Sequence, residues 1–327
     1  RWNSSRSGAK SHTFITAHGG RKTVIVNKMV GFIGVALGLM MVATGQSDAV
    51  KLIDDLGVEV EIAGGPERIV SLAPSNTELL YALGLGNKVV GVTEVCDFPV
   101  EVAKVEKVAG FNSVNLEKIV AVKPDLVLAA RGNDIEGIRS LRELGIRVFS
   151  LDIQSLQQLL QAVDRVGALC GVAEEAARLR GGLDKRIQKV ADRLAQAQGK
   201  PRVLWGYWSD PVYTAGPGTM IDDVITQAGG FNVASAAEGA WPQIGLETIL
   251  SWAPEVIVTT YLPTGQDSLA TEILRLQKTD GWKMVPAISD SRLYYIEADW
   301  LMRPGPRLVN AYEQLARTIH PQLFKEP

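Results

Sequence analysis

Apolar positions in this chain fall into short unbroken runs separated by longer amphipathic stretches, the rhythm of strands alternating with helices. Residues 58–62 alternate like a short strand. Residues 68–72 (Arg68-Ile69-Val70-Ser71-Leu72) read as a strand covered on both faces and stopped at Pro74. Ser75 or Asn76 stands where a cap would start a helix through about Leu83, and Gly84 would end it. Further strands are expected over 89–92, 126–129 and 147–151, with a short helix over 115–122. A second pass begins at Pro201-Arg202-Val203-Leu204. It brings a helix over 221–227, strands over 256–259 and 293–296, and a closing helix over 307–319. Strand–helix alternation of this kind implies parallel sheets with helices on both faces.

One phrase occurs twice. Leu116-Glu117-Lys118-Ile119 runs on to Pro124-Asp125-Leu126-Val127, and Leu246-Glu247-Thr248-Ile249 runs on to Pro254-Glu255-Val256-Ile257. Glu117 and Glu247 stand 130 positions apart, so each marks the same place in one of two similar lobes. An acid in the first turn of a helix is favoured by the dipole alone, by about 0.3–1 kcal/mol. Matched acids on two lobes would also suit arginines of a two-fold partner. Between the passes, residues 173–198 contain no proline, and Leu179, Leu183, Ile187, Val190 and Leu194 fall at helical spacing. One long helix is expected there, weakened at Gly181-Gly182 by about 1 kcal/mol each. The fold class that follows is α/β: two similar Rossmann-like lobes with parallel sheets, joined by one long helix, with a ligand cleft between them. The expected divisions are a lobe over 49–170, the linking helix over 171–199 and a lobe over 200–327.

Composition narrows the function. The chain has 327 residues, 46% of them hydrophobic and 21% charged, enough for two packed domains. A formal charge of −2 argues against a nucleic-acid partner, which calls for a dense basic face. The three histidines, His12, His18 and His320, lie toward the ends. The body therefore lacks an imidazole for a triad, a haem ligand or a zinc site. Lys28 precedes an apolar stretch over 29–42 and then small residues, which reads as a signal peptide over 29–48. Residues 1–28 are expected to be a disordered or non-native extension. No cysteine precedes Cys96, so the expectation is a protein exported to a periplasm without a lipid tether. Cys96 and Cys170 are left as either one disulfide or two buried thiols. No Gly-x4-Gly-Lys-Ser/Thr loop occurs, so any ATPase must be another chain.

Ligands of open parallel sheets lie beyond the carboxyl ends of the strands. Those loops offer Ser75-Asn76, Phe98, Phe111 and Arg131 in the first lobe. The second offers Trp205, Tyr207, Trp208, Tyr213, Trp241, Asp299, Trp300 and Arg303. No tryptophan occurs between Trp2 and Trp205, and six follow. Trp252 and Trp282 are assigned to packing. The other rings suggest a large, flat, partly apolar ligand held by stacking. Arg131, Arg303 and Arg307 would either bind its anionic groups or pair with acids such as Asp134 and Asp299.

The segments over 68–78, Asp97-Phe98-Pro99, 115–120, Trp241-Pro242-Gln243 and Asp299-Trp300 with Arg303 resemble periplasmic substrate-binding proteins of ABC importers, rigid-helix type. The resemblance spans about 58–323 and is nearest to the cobalamin (vitamin B12)-binding branch. It implies no enzymatic activity and no cofactor, but a corrinoid held non-covalently between the lobes. Phe98, Phe111, Tyr213, Trp241, Asp299 and Arg303 fall at its contact positions. Glu117 and Glu247 fall where the family docks onto its permease dimer, which works with separate ATPase subunits. A monomer is expected. Two departures, Ala130 and Val95 where the family has aromatic residues, leave other macrocycles open, and a siderophore or haem binder of the same fold is the alternative.

Overall fold

The structure, a computed structural model, describes residues 49–207, 211–261 and 269–325, with Tyr207 described by its backbone alone. The expected leader, the extension before it and Trp208 lie outside those residues. Two strands, β1 (Val50–Ile53) and β2 (Glu59–Ile62), pair as an antiparallel hairpin ahead of the first lobe. That lobe contains β3 (Ile69–Ser71), α1 (Pro74–Ala82), β4 (Val89–Thr93), β5 (Lys107–Ala109), α2 (Leu116–Ala121), β6 (Leu126–Ala130), α3 (Ile135–Glu143) and β7 (Val148–Leu151). Its five strands are parallel, in the order β5-β4-β3-β6-β7. Chain direction across the sheet reverses between β3 and β6, the place where such sheets leave a crevice. Both strands are buried almost throughout, as their apolar runs require.

Two helices follow, α4 (Leu156–Leu169) and α5 (Ala173–Leu194). The second lobe contains β8 (Arg202–Tyr207), β9 (Val212–Thr214), α6 (Met220–Gln227), β10 (Phe231–Asn232), β11 (Gln243–Ile244), α7 (Leu246–Trp252), β12 (Val256–Thr259), α8 (Leu269–Gln277), α9 (Pro286–Ser289), β13 (Leu293–Tyr295), α10 (Ala298–Leu301) and α11 (Leu308–Ile319). Here β8 pairs in parallel with β10 and β12, and β12 with β13. The second sheet departs from the plan of the first on one side, where β9 and β11 run antiparallel. Only β9 folds back on β8, which it follows closely in the chain, and that needs no crossover helix; β11 then pairs with β9 after α6 and β10.

Helix starts differ from the expected pattern at α1. Pro74 takes the first helical position and Ala73 is the cap residue, so Ser75 and Asn76 lie inside the helix. Proline needs no backbone N–H there and its fixed φ suits the first turn. The Asn76 amide donates instead to the carbonyl of Ala129 at 3.0 Å, tying α1 to the end of β6. Gly84, at φ +75°, ends the helix as expected. The long helix stops at Leu194, four residues short of the expected 198. At 1.5 Å per residue its 22 residues span about 33 Å.

One apolar cluster runs without interruption through both lobes. It joins Leu126, Phe149 and Leu159 to Leu183 and Val190 of α5, and these to Val203, Tyr312 and Leu315. Cys96 and Cys170 are separate buried thiols, and burial pushes the Cys170 thiol up to about 12.

The repeated phrase is a repeated latch. Arg68, just before β3, donates from Nε to the carbonyls of Val122 (2.9 Å) and Lys123 (3.1 Å), at the carboxyl end of α2. Arg202, at the start of β8, donates from Nε to Trp252 at the end of α7 (2.8 Å). In the first copy the Asp125 carboxylate accepts the backbone N–H groups of Glu67 and Arg68; in the second, Glu255 accepts that of Arg202. Lys123 (φ 46°) and Ala253 (φ 42°), each before a proline, take the same left-handed turn. Glu117 and Glu247 therefore project, exposed, from the first turns of two helices anchored in the same way.

Candidate ligand-binding site

A cleft of about 520 Å³ lies between the lobes. Its first-lobe wall is made at the carboxyl ends of the strands: Pro74 after β3, Val95 after β4, Phe111 after β5, Ala130 and Arg131 at β6, and Leu151 and Ile153 at β7. The second-lobe wall comes from the start of α6 (Thr219, Met220, Ile221), the loop before β11 (Ala240, Trp241) and Met302 with Arg303 after α10. The lining is mainly apolar, with one aromatic ring from each lobe.

Buried polar groups fix this geometry. The Asn133 amide, 5% exposed, donates to the carbonyls of Leu72 and Phe111, both at 2.9 Å, and its oxygen accepts from the N–H of Ala130 at 2.7 Å. One side chain thus ties the ends of β3 and β6 to the loop that carries Phe111. Gly132 (φ +92°) lies under the Phe111 ring, where a Cβ would stand 3.2 Å from it. On the other wall, Gly216 passes so close to the Trp241 loop that a Cβ would meet the carbonyl of Gly239 at 2.2 Å. The N–H of Gly216 donates to Ala240 at 2.8 Å, and that of Thr214 to Pro242 at 3.0 Å. Trp241 is thereby held half-exposed, edge-on to Trp205 with ring centroids 6.1 Å apart.

Of the residues expected at the ligand, Phe111, Arg131, Trp241 and Arg303 line the cleft. The other described residues of that set do not line it. Trp205, 3% exposed, is core: β8 is the central strand of its sheet, so its largest side chain is covered on both sides and supports Trp241 from behind. Tyr213 points outward from β9, exposed between two buried neighbours, and is not among the residues that line the cleft. Trp300 packs against the main apolar cluster. Phe98 lies in an adjoining pocket beneath the Arg307 guanidinium, 4.0 Å from its ring centroid. Asp299 is drawn into ion pairs, and Trp208 and the Tyr207 side chain are outside the described residues. Trp252 and Trp282 pack against the core of the second lobe, as expected. Glu117 and Glu247 are exposed, away from the cleft.

The arginines are already engaged. Arg131 pairs with Asp152 at 3.1 Å, not with Asp134, which caps α3. Arg303 reaches Asp97 across the lobes at 2.6 Å and Asp299 on its own lobe at 3.0 Å. Arg307 grips Glu78 of α1 with both a 2.9 Å and a 2.6 Å bond. Burial pushes the Glu78 carboxyl up, against the pull of Arg307, whereas a hydrogen bond from Arg303 holds Asp97 below the usual carboxylate range. A third strap crosses the lobes where the N–H of Leu156 donates to Asp223 at 2.9 Å. Sequence reasoning missed the helix-start residues Thr219, Met220 and Ile221 and the positioning role of Asn133. Asn133 lies two residues beyond Arg131, but only the strand order shows which carbonyls it reaches. No group of three or more His, Cys, Asp or Glu residues suited to a metal ion occurs among the described residues.

Two lobes on parallel strands, joined by helices and closing on one cleft, define a bilobal solute binder. The chain belongs to the periplasmic binding protein family, whose model matches residues 69–300. It is 36% identical over 284 residues to an uncharacterized ABC transporter substrate-binding lipoprotein, YvrC, of Bacillus subtilis (strain 168), covering 85% of this chain and 87% of that one. Among solved structures it is similar to the periplasmic vitamin B12-binding protein BtuF of Vibrio cholerae. The TM-score is 0.71 at 28% identity, with 80% of this chain and 99% of that one covered. It is also similar to the periplasmic haem-binding protein RhuT of Roseiflexus sp. RS-1, with a TM-score of 0.68 at 26% identity over 79% of this chain and 100% of that one. The protein is thus an extracytoplasmic substrate-binding component of an ABC importer, a family that works with separate permease and ATPase components. No helix among the described residues is long and apolar enough to cross a membrane.

Proposed function

We propose that this chain captures a corrinoid in the periplasm, as a soluble monomer, and delivers it to an ABC importer. The observation that carries the reading is the cleft itself: an apolar slot with one aromatic ring from each lobe, Phe111 and Trp241, suited to the faces of a flat macrocycle. Similarity to a vitamin B12 binder supports it. Val95 and Ala130 widen the first-lobe wall where larger rings would narrow it. Capture has to be tight yet reversible, at about micromolar to nanomolar Kd.

Haem is the second reading, and one observation favours it: Met220 and Met302 line the cleft, and thioether sulfur ligates haem iron. A visible-spectrum titration with cyanocobalamin, haem and a ferric siderophore separates the readings. One equivalent of cyanocobalamin should bind with Kd below about 10 µM. Saturable binding of haem or siderophore with no corrinoid binding would reverse the choice.

A further inference from the structure

The cleft continues on one side into a second, polar hollow of about 570 Å³, with Gln154, Gly218 and Thr219 common to both. Its floor is the exposed face at the start of α4, with Gln157, Gln158 and Gln161, set against Asp222 and Asp223 of α6. The side-chain amides of Gln157 and Gln161 have no hydrogen-bond partner among the described residues.

Charge accounting across the joined space is one-sided. Its charged lining residues, among those described, are Arg131, Arg303, Asp222 and Asp223. Arg131 is taken by Asp152, and Arg303 by Asp97 and Asp299. The two helix starts at the hollow offer an anion little more. The N–H of Leu156 is held by Asp223, that of Gln158 by Ser155, and that of Asp222 by Thr219. A carboxylate brought here meets two fixed acids and would have to displace an existing partner from each arginine. An amide meets the side chains of Gln157 and Gln161, which can both donate and accept, and the NH2 of Gln158, whose oxygen already accepts the N–H of Gln154 at 2.7 Å.

We propose that the cleft and this glutamine-lined annex form one site for a ligand with a flat apolar body and an uncharged rim of amide or hydroxyl groups, the rim lodging against Gln157, Gln158 and Gln161. The proposal rests on the corrinoid reading and narrows it: the annex selects corrinoids whose side chains are amides over macrocycles whose side chains are carboxylates.

The test compares cyanocobalamin with cyanocobalamin hydrolysed at one side-chain amide to the acid, both titrated at pH 7.5. The monoacid should bind about ten-fold more weakly, the scale of one lost polar contact. Gln157→Ala with Gln161→Ala should weaken binding of the parent by about five- to ten-fold with the circular dichroism unchanged, since both positions are exposed on a helix that tolerates alanine. Gln157→Lys with Gln161→Lys should reverse the preference toward the acid. Equal or tighter binding of the monoacid, or an alanine pair that leaves the parent's affinity untouched, overturns the annex. Should neither corrinoid bind, the corrinoid reading falls by itself, and haem against its diamide decides the annex. Tighter binding of the diamide sustains it; tighter binding of haem, or no difference, overturns it.

Discussion

Glu78 and Asp97 face the same two arginines, yet their carboxyls shift in opposite directions. Glu78 is nearly fully covered, so loss of hydration outweighs the Arg307 hydrogen bonds and its carboxyl rises. Asp97 keeps much of its exposure and falls under the bond from Arg303. The consequences for stability differ in sign. The Asp97 contribution is present above the ordinary aspartate range and is lost as pH falls through its lowered folded pKa. For Glu78 the folded state holds its proton more tightly than the unfolded chain, so stability falls as pH rises from the ordinary glutamate range through the raised folded pKa. Glu78→Gln removes that second slope. Melting temperatures followed from about pH 4 upward should show the variant gaining on the wild type as pH rises, whatever its offset. A difference that narrows in the opposite direction would contradict the burial account of Glu78.

At the scale of elements, the latches explain why the repeated phrase extends so far past its glutamate. Leu116 to Asp125 and Leu246 to Glu255 each encode a helix start, a left-handed turn before proline, and an acid that receives the strand beside it. Arg68→Ala would leave the carbonyls of Val122 and Lys123 without their donor and should cost about 1–3 kcal/mol in denaturant unfolding. Arg202→Ala should act alike in the other lobe. A loss below about 0.5 kcal/mol at both would mean that water replaces the arginines and the latch is incidental. The strands and helices around these phrases were legible because parallel strands read as apolar runs and helix ends carry glycine or proline. The β9–β11 side of the second sheet was not, since two strands of two or three residues leave no periodicity to read. Site residues divided on the same ground. Phe111 and Arg131 follow β5 and β6, Trp241 precedes β11 and Arg303 follows α10, and all four line the cleft. Trp205 sits within the central strand β8, and composition alone does not separate a ring facing a ligand from the ring supporting it.

Across the whole molecule, the lobes are joined by a continuous apolar cluster along α4, α5 and α11, and strapped by Arg303–Asp97, Arg307–Glu78 and Leu156–Asp223. Such joining favours a cleft of near-constant width and keeps the two latched glutamates, which we propose as the contacts to a two-fold permease, at a set separation. Glu117→Ala with Glu247→Ala should leave ligand affinity within about two-fold, since neither lines the cleft, and should abolish delivery in vesicles containing the importer. Lost affinity would place the acids in the pocket or the fold instead of at the docking surface. The most direct measurement for the account is a crystal structure grown in saturating cyanocobalamin. It should show one corrinoid per chain between the lobes, a face against Trp241 and side-chain amides toward Gln157 and Gln161. A corrinoid bound outside the cleft, or a cleft left vacant at saturation, would contradict the account.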